Sequence, residues 1–274
     1  MAETVRAALA RAAGELAGWS ASARLDAELL MAAALGVERD ALLLGRLDDP
    51  SPAAFETLLD RRRLHEPVAY ILGERDFWSI TLEVGPGVLI PRPDSETLIE
   101  VAVDHFGAEG PTTILDLGTG SGALLLAALA QWPRARGTGI DRSDAALAIA
   151  ARNVERLGMA DRATLLEGHW GRAVAGPFDL ILCNPPYIET GADLAAEVRA
   201  YEPAGALFAG IEGLDDYRRL APDIARLLAP HGLAVVEIGW TQAAAVSALL
   251  AETGLITMVR QDLGGRDRAI VARH

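Results

Sequence analysis

Thr113-Ile114-Leu115-Asp116-Leu117-Gly118-Thr119-Gly120-Ser121-Gly122 passes from an apolar, strand-like run into a glycine-rich turn. The stretch that follows, Ala123 to Trp132 (ALLLAALAQW), reads as a helix. A strand, a glycine-rich turn and a helix N-terminus together form a nucleotide-cofactor site. The glycines let a ligand approach the backbone closely, and free N–H groups at the helix start would hold a phosphate or carboxylate. The spacing Gly118-x-Gly120-x-x-Ala123 also satisfies the dinucleotide pattern of a dehydrogenase. The next strand, Thr138-Gly139-Ile140, ends at Asp141, an acid placed to hold ribose hydroxyls in either kind of enzyme.

Outward from this turn, strand-like and helix-like segments alternate. The strands are expected at 113–116, 137–140, 163–166, 178–183 and 233–238, with two more near 256–261 and 268–272. This alternation predicts an α/β fold with a parallel, doubly wound, Rossmann-like sheet, its last two strands forming an antiparallel edge. Residues 1–73 read as a small helical bundle. Val5, Leu9 and Leu16 share one face of the first helix. Ser22 caps a second helix, with Leu25, Leu29 and Leu30 apolar and Gly36 at its end. A short helix covers Asp40 to Leu47, and Ser51-Pro52 starts another with Phe55, Leu58 and Leu59 inward. Residues 74–92 read as a β-hairpin linker: Phe77 to Val84 goes out, Gly85-Pro86-Gly87 turns, and Val88-Leu89-Ile90 returns. Pro91 to Glu96 then opens a helix running to about Phe106, within a cofactor-binding domain expected over 93–274.

A second motif, Asn184-Pro185-Pro186-Tyr187, ends the strand-like run Phe178 to Cys183. An amide or aromatic amine is a poor nucleophile, because its lone pair is delocalised. Methylating it requires gripping the NH2 group by its hydrogens and aiming the lone pair at an electrophilic methyl. The Asn184 side-chain oxygen and the Pro185 carbonyl are two suitable acceptors. The prolines stiffen the turn, and Tyr187 can lie flat against a planar amide or base. A dehydrogenase has no use for such a grip. The pair of motifs therefore points to S-adenosylmethionine as cofactor, leaving as S-adenosylhomocysteine. Gly118 to Gly122 would hold its methionine part, with Asp116 facing the ammonium and Asp141 the ribose.

Composition narrows the partners. Net charge is −13 and all 25 basic residues are arginine, which argues against broad nucleic-acid binding. The run Arg61-Arg62-Arg63 reads as a solvated helix end. Cys183, the single cysteine, lies in an apolar strand and excludes a disulfide framework or a cysteine-rich zinc site. The five histidines show no ligand spacing, so no metal is expected. No run is long and apolar enough to span a membrane. Glu3, Arg6, Arg11 and Glu15, without an apolar signal core, predict a cytoplasmic protein.

Across nearly its whole length the chain resembles the HemK/PrmC family, the N5-glutamine methyltransferases of peptide chain release factors. The resemblance rests on Pro67-x-x-Tyr70-Ile71-x-Gly73-Glu74, Ile90-Pro91-Arg92-Pro93-Asp94-Ser95-Glu96 and the DLGTGSG run at 116–122. It continues in Asn184 to Tyr187, Tyr201-Glu202-Pro203 and Asp262-Leu263-x-Gly265-x-x-Arg268. Asn184 to Tyr187 alone is shared with adenine-N6 methyltransferases, the alternative activity; the segment at 90–96 is far more specific. The resemblance implies cofactor contacts at Gly118, Thr119, Gly120, Ser121, Gly122, Asp141, Trp170 and Asn184. It implies a substrate glutamine held by Asn184, Pro185, Pro186 and Tyr187, with catalysis resting on Asn184, Pro185 and Tyr187. The N-terminal bundle would recognise the release factor. The chain departs from the family pattern at His169 and Gly171, which flank Trp170 where an acid and a Phe are common, and also at Ala69 and Ser79.

Overall fold

The computed structural model describes residues 3–274. Contacts divide the chain into two units. One is Met1–Gly73 with Ala195–Tyr201, and the other is Glu74–Leu194 with Glu202–His274. The expected hairpin linker thus groups with the sheet unit, and a short later segment joins the helical one.

The helical unit contains α1 (Val5–Leu16), α2 (Ala23–Leu35), α3 (Arg39–Gly45), α4 (Ala53–Arg63) and α5 (Val68–Leu72). Its core is Val5, Leu9, Leu16, Leu30, Phe55 and Leu59, with smaller residues between them. Thr4 caps α1, its hydroxyl accepting from the Ala7 N–H. One expectation for α2 fails. Ser22 stands at the N-cap, but its hydroxyl donates to Asp26 Oδ1 at 2.8 Å instead of capping the backbone. Leu25 is 42% exposed, because the buried stripe runs through Asp26, Ala27, Leu30 and Met31. Asp26 is buried there because Arg62 faces it at 2.8 Å. Arg62 is therefore no solvated helix end: it is buried, and it also bonds Glu197 at 2.7 Å. Arg61 pairs with Glu66, and Arg63 with Glu15, Glu56 and Asp60. Tyr201, at the end of the joining segment, donates to the Leu64 carbonyl at 2.9 Å.

The sheet unit begins with a hairpin, β1 (Glu74–Phe77) and β2 (Ile80–Glu83), paired from Glu74↔Glu83 to Phe77↔Ile80. The turn is Trp78-Ser79, with Trp78 at φ +54°, and not Gly85-Pro86-Gly87 as expected. Phe77 and Leu82 fill the core on either side of this turn. Val88 to Ile90 forms no strand; prolines at 86, 91 and 93 remove ladder donors from its surroundings. A 3-10 turn over Pro93–Ser95 leads into α6 (Glu96–Phe106). Then come β3 (Thr113–Leu117), α7 (Ala123–Gln131), β4 (Arg136–Asp141), α8 (Asp144–Arg156), β5 (Ala163–Glu167) and β6 (Phe178–Cys183). After them follow α9 (Ala196–Tyr201), α10 (Asp215–Leu227), β7 (Leu228–Glu237), α11 (Ala243–Ala251), β8 (Ile256–Gln261) and β9 (Asp267–Arg273).

The seven strands lie in the order β5-β4-β3-β6-β7-β9-β8. β3 to β7 pair in parallel, and β9 runs antiparallel to both β7 and β8. The last strand of the chain thus slots inside the sheet and β8 takes the edge. Period-two alternation puts Ile114, Leu180, Leu182, Leu233 and Val235 in one apolar layer. Leu115, Leu117, Ile181, Cys183, Ala234 and Val236 enter the other. A sheet buried on both faces needs helices on both, as in other doubly wound folds. Strand order reverses at β3: β4 lies on one side of it and β6 on the other. Ligands in such folds bind in the crevice beyond the carboxyl ends of these strands. No helix of the described residues is long and apolar enough to cross a membrane.

Candidate active site

A cavity of about 260 Å³ opens at that reversal point. One water needs roughly 10–15 Å³ on the same measure, so the space is ligand-sized. Successive strand ends line it: Gly118 to Ser121 after β3, Asp141 to Ser143 after β4, Gly168 to Trp170 after β5, and Asn184 with Pro186 after β6. Of the expected site residues, Gly122, Pro185 and Tyr187 are not among the lining. Gly122 instead turns the chain into α7 at φ +86°, where an added Cβ would stand 2.9 Å from Leu126 Cδ1.

At the glycine turn the N–H groups are committed within the protein, while Asp116 and Asp141 stand in the cavity wall. Gly118 and Thr119 N–H both donate to the Ile140 carbonyl at 2.9 Å. Gly120 N–H donates to Asp141 Oδ2 at 2.9 Å, and Gly122 N–H to the Thr119 carbonyl at 2.8 Å. The expectation of free anion-holding N–H groups is therefore corrected at these four positions. A pyrophosphate would meet committed donors and two carboxylates, which disfavours the dinucleotide reading. Asp116 is almost fully buried and accepts from Thr119 Oγ1 at 2.6 Å and Leu125 N–H at 3.2 Å, both through Oδ2. Its Oδ1 has no partner. Burial pushes its carboxyl up to about 7, offset in part by the Thr119 and Leu125 bonds. Such a group suits a cation.

Two more buried polar atoms without a partner, His169 Nδ1 and Trp170 Nε1, belong to lining residues of the same cavity. Trp170 is held at φ +55°, a sparsely populated conformation for a non-glycine residue. Its ring bears on the glycine turn: a Cβ at Gly118 would stand 3.1 Å from Trp170 Cζ3. The departure at Gly171 has a packing cause. A Cβ there would come within 2.5 Å of Leu227 Cδ1 and 2.9 Å of Asp223 Cβ, both on α10.

Asn184 donates through Nδ2 to Ser95 Oγ at 3.0 Å. Ser95 Oγ donates in turn to Glu237 Oε2 at 2.5 Å, at the end of β7. Tyr187 OH makes a long contact of 3.4 Å to the other oxygen of Glu237, and Gln242 Nε2 donates to the Tyr187 carbonyl at 3.0 Å. Burial pushes the Glu237 carboxyl up to about 7 and the Tyr187 hydroxyl up to about 12. The segment 90–96 ties the other motifs together. Glu202 accepts the Ile90 N–H at 3.1 Å and pairs with Arg92 at 2.5 Å. Asp94 pairs with Arg268 at 2.9 Å, and Arg268 with Asp262 at 3.2 Å. Sequence reading did not find Glu237: it ends an apolar strand and carries no motif of its own. Asn153, fully buried on α8, was missed because it too carries no motif of its own. It bonds the Glu83 backbone at 2.7 and 3.0 Å and the Ser121 carbonyl at 2.9 Å, fixing the hairpin to the glycine turn.

Residues 7–73 match the PrmC N-terminal domain family, and residues 94–203 match the methyltransferase small domain family. A release factor glutamine methyltransferase of Rhodospirillum rubrum is 47% identical over 257 residues, covering 91% of this chain and 78% of that one. One from Cereibacter sphaeroides is 44% identical, covering 99% and 98%. The crystal structure of a methyltransferase from Pyrococcus furiosus shares the fold at a TM-score of 0.53, with 19% identity over 70% of this chain and 87% of that one. With relatives this similar over 78% and 98% of their own length, the chain belongs to the release factor glutamine methyltransferase family.

Proposed function

We propose that this enzyme transfers a methyl group from S-adenosylmethionine to the side-chain amide nitrogen, N5, of a glutamine in a peptide chain release factor. The observation that carries the reading is one cavity lined by both Asn184 and the acid pair Asp116 and Asp141, with the Asn184 NH2 held away by Ser95. The residues fit the cofactor: the unpartnered Asp116 Oδ1 suits an ammonium, Asp141 can accept from ribose hydroxyls, and His169 and Trp170 offer polar atoms to the base. When bound, S-adenosylmethionine supplies an electrophilic sulfonium methyl.

Asn184 Oδ1 and the Pro185 carbonyl accept the two hydrogens of the glutamine NH2, and so turn its lone pair toward that methyl. Tyr187, anchored through its hydroxyl and its carbonyl, backs the amide plane. Most of the rate comes from alignment and exclusion of water, because the alkylated nitrogen sheds its proton without a strong base. The helical unit recognises the protein substrate. Release factors work at the ribosome, so the reaction belongs in the cytoplasm. A transfer assay with methyl-labelled cofactor tests the reading, offering purified release factor, free DNA and free glutamine in parallel. Label is expected in the release factor alone; label in DNA alone would overturn the assignment.

A further inference from the structure

Asn184 can serve as a grip only with its oxygen toward the substrate. The side chain is nearly symmetric in shape, and rotation by half a turn would present Nδ2, a donor, to the donor NH2 of glutamine. Something must decide between the two ends, and the buried hydrogen bonds that run from Ser95 in the cavity wall to Glu237 supply it. An ionised carboxylate only accepts, so Glu237 takes the single proton of the Ser95 hydroxyl. Ser95 Oγ is then left as an acceptor toward Asn184, and an acceptor selects Nδ2. Ser95 and Glu237 are 3% and 1% exposed, so water does not compete for these bonds.

We propose that Ser95 and Glu237 are positioning residues for the transfer: Glu237 sets the direction of the Ser95 hydroxyl, and that hydroxyl fixes which end of the Asn184 amide faces the substrate. The inference rests on the reading of the site as an amide methyltransferase. It gives Ser95, within the family-specific segment 90–96, a role in the chemistry. Were Glu237 protonated, it could donate to Ser95 Oγ, and the freed serine proton would select Asn184 Oδ1 instead. The grip would then be reversed. The groups around Glu237 are Asp94 and Ser95 ahead of α6, Cys183 on β6, Tyr187 after β6, Tyr217 on α10 and Arg268 on β9. Arg268 favours the ionised form that the arrangement requires, and Asp94 opposes it.

The test uses the full chain with purified release factor at saturating cofactor, across pH 6 to 9. Ser95→Ala removes the acceptor and leaves little space behind. Its kcat should fall roughly ten- to a hundredfold, with cofactor affinity and the KM for release factor nearly unchanged. Ser95→Thr, which keeps the hydroxyl, should recover much of that loss. Wild-type kcat should rise with pH through about 7, as Glu237 ionises. Glu237→Gln cannot ionise, so this rise should disappear. In the ligand-free protein, the Asn184 side-chain NH2 signal should exchange slowly with water, and faster in Ser95→Ala. Ser95→Ala turnover within about twofold of wild type, or an unchanged pH profile in Glu237→Gln, would overturn the proposal. A wild-type chain that modifies no release factor would sink the functional reading instead, and the Asn184 exchange rate would still decide the positioning role.

Discussion

At the scale of single residues, the site is a matter of which polar atoms are already spoken for. Asp116 keeps one oxygen without a partner, and its carboxyl is pushed up to about 7 by burial. A cationic ammonium beside it would favour the ionised form, so the carboxyl should titrate lower with cofactor bound than without. Cofactor binding at pH 6 should then release a proton from Asp116, and affinity should weaken as pH falls below 7. Calorimetry in two buffers of different ionisation enthalpy measures that release; Asp116→Asn should abolish it and weaken binding. Asn184→Ala should cut turnover by about a hundredfold or more while cofactor affinity stays within a few-fold. Near-normal transfer by that variant would remove the amide grip from the mechanism. That Asp116, Asp141 and Asn184 meet at one cavity was legible in the sequence, because each stands at a fixed offset from a strand end. Glu237 was not, because its meaning comes from Ser95, 142 residues away along the chain.

Among the elements, legibility follows how local the cause is. Strand positions in the sheet unit were readable from apolar runs of the right length. Their order was readable only in part: nothing local says that β9 inserts between β7 and β8. The hairpin was misplaced because Phe77 to Val84 alternates like one strand, and the bend at Trp78 occurs at a residue type that rarely turns. Cap chemistry was less readable: Ser22 spends its hydroxyl on Asp26 and not on the backbone, while the hydroxyls that do cap, Thr4 on α1 and Ser143 on α8, were not singled out. Arg62 on α4 is the least legible element feature. Its neighbours Arg61 and Arg63 carry the same charge, and only the fold shows that it is the buried one. It holds Asp26 of α2 and Glu197 of α9 together. Arg62→Ala would leave Asp26 buried without a counter-charge, held only by Ser20 and Ser22, at a cost of roughly 3 kcal/mol to the helical unit. Arg63→Ala, which loses half-exposed pairs, should cost about 1 kcal/mol or less. Denaturant titration of both variants distinguishes them; equal losses would mean that the Arg62 pair is not the unit's internal tie.

For the whole molecule, the proposed function gives the two units different work. Every residue lining the cavity lies in the sheet unit, which has its own two apolar layers. The helical unit has a separate core and, among its described residues, no part in the cavity lining. A recognition role for it predicts the outcome of truncation, and the structure also dictates how to truncate. Removing residues 1–73 alone would strand Ala195–Tyr201, whose Glu197 and Tyr201 find their partners at Arg62 and Leu64. Replacing 195–201 with a short glycine-serine linker in the same variant avoids that exposure. The resulting sheet unit should stay folded, bind S-adenosylmethionine with near wild-type affinity and lose most of its affinity for the release factor. Its turnover of the intact release factor should drop accordingly. If the bundle serves only to cover apolar surface, the trimmed protein should instead aggregate or lose the cofactor. Normal methylation of the intact release factor by a soluble, cofactor-binding sheet unit would refute both roles. Calorimetry with the cofactor and a pull-down with purified release factor, run on one preparation, separate these outcomes.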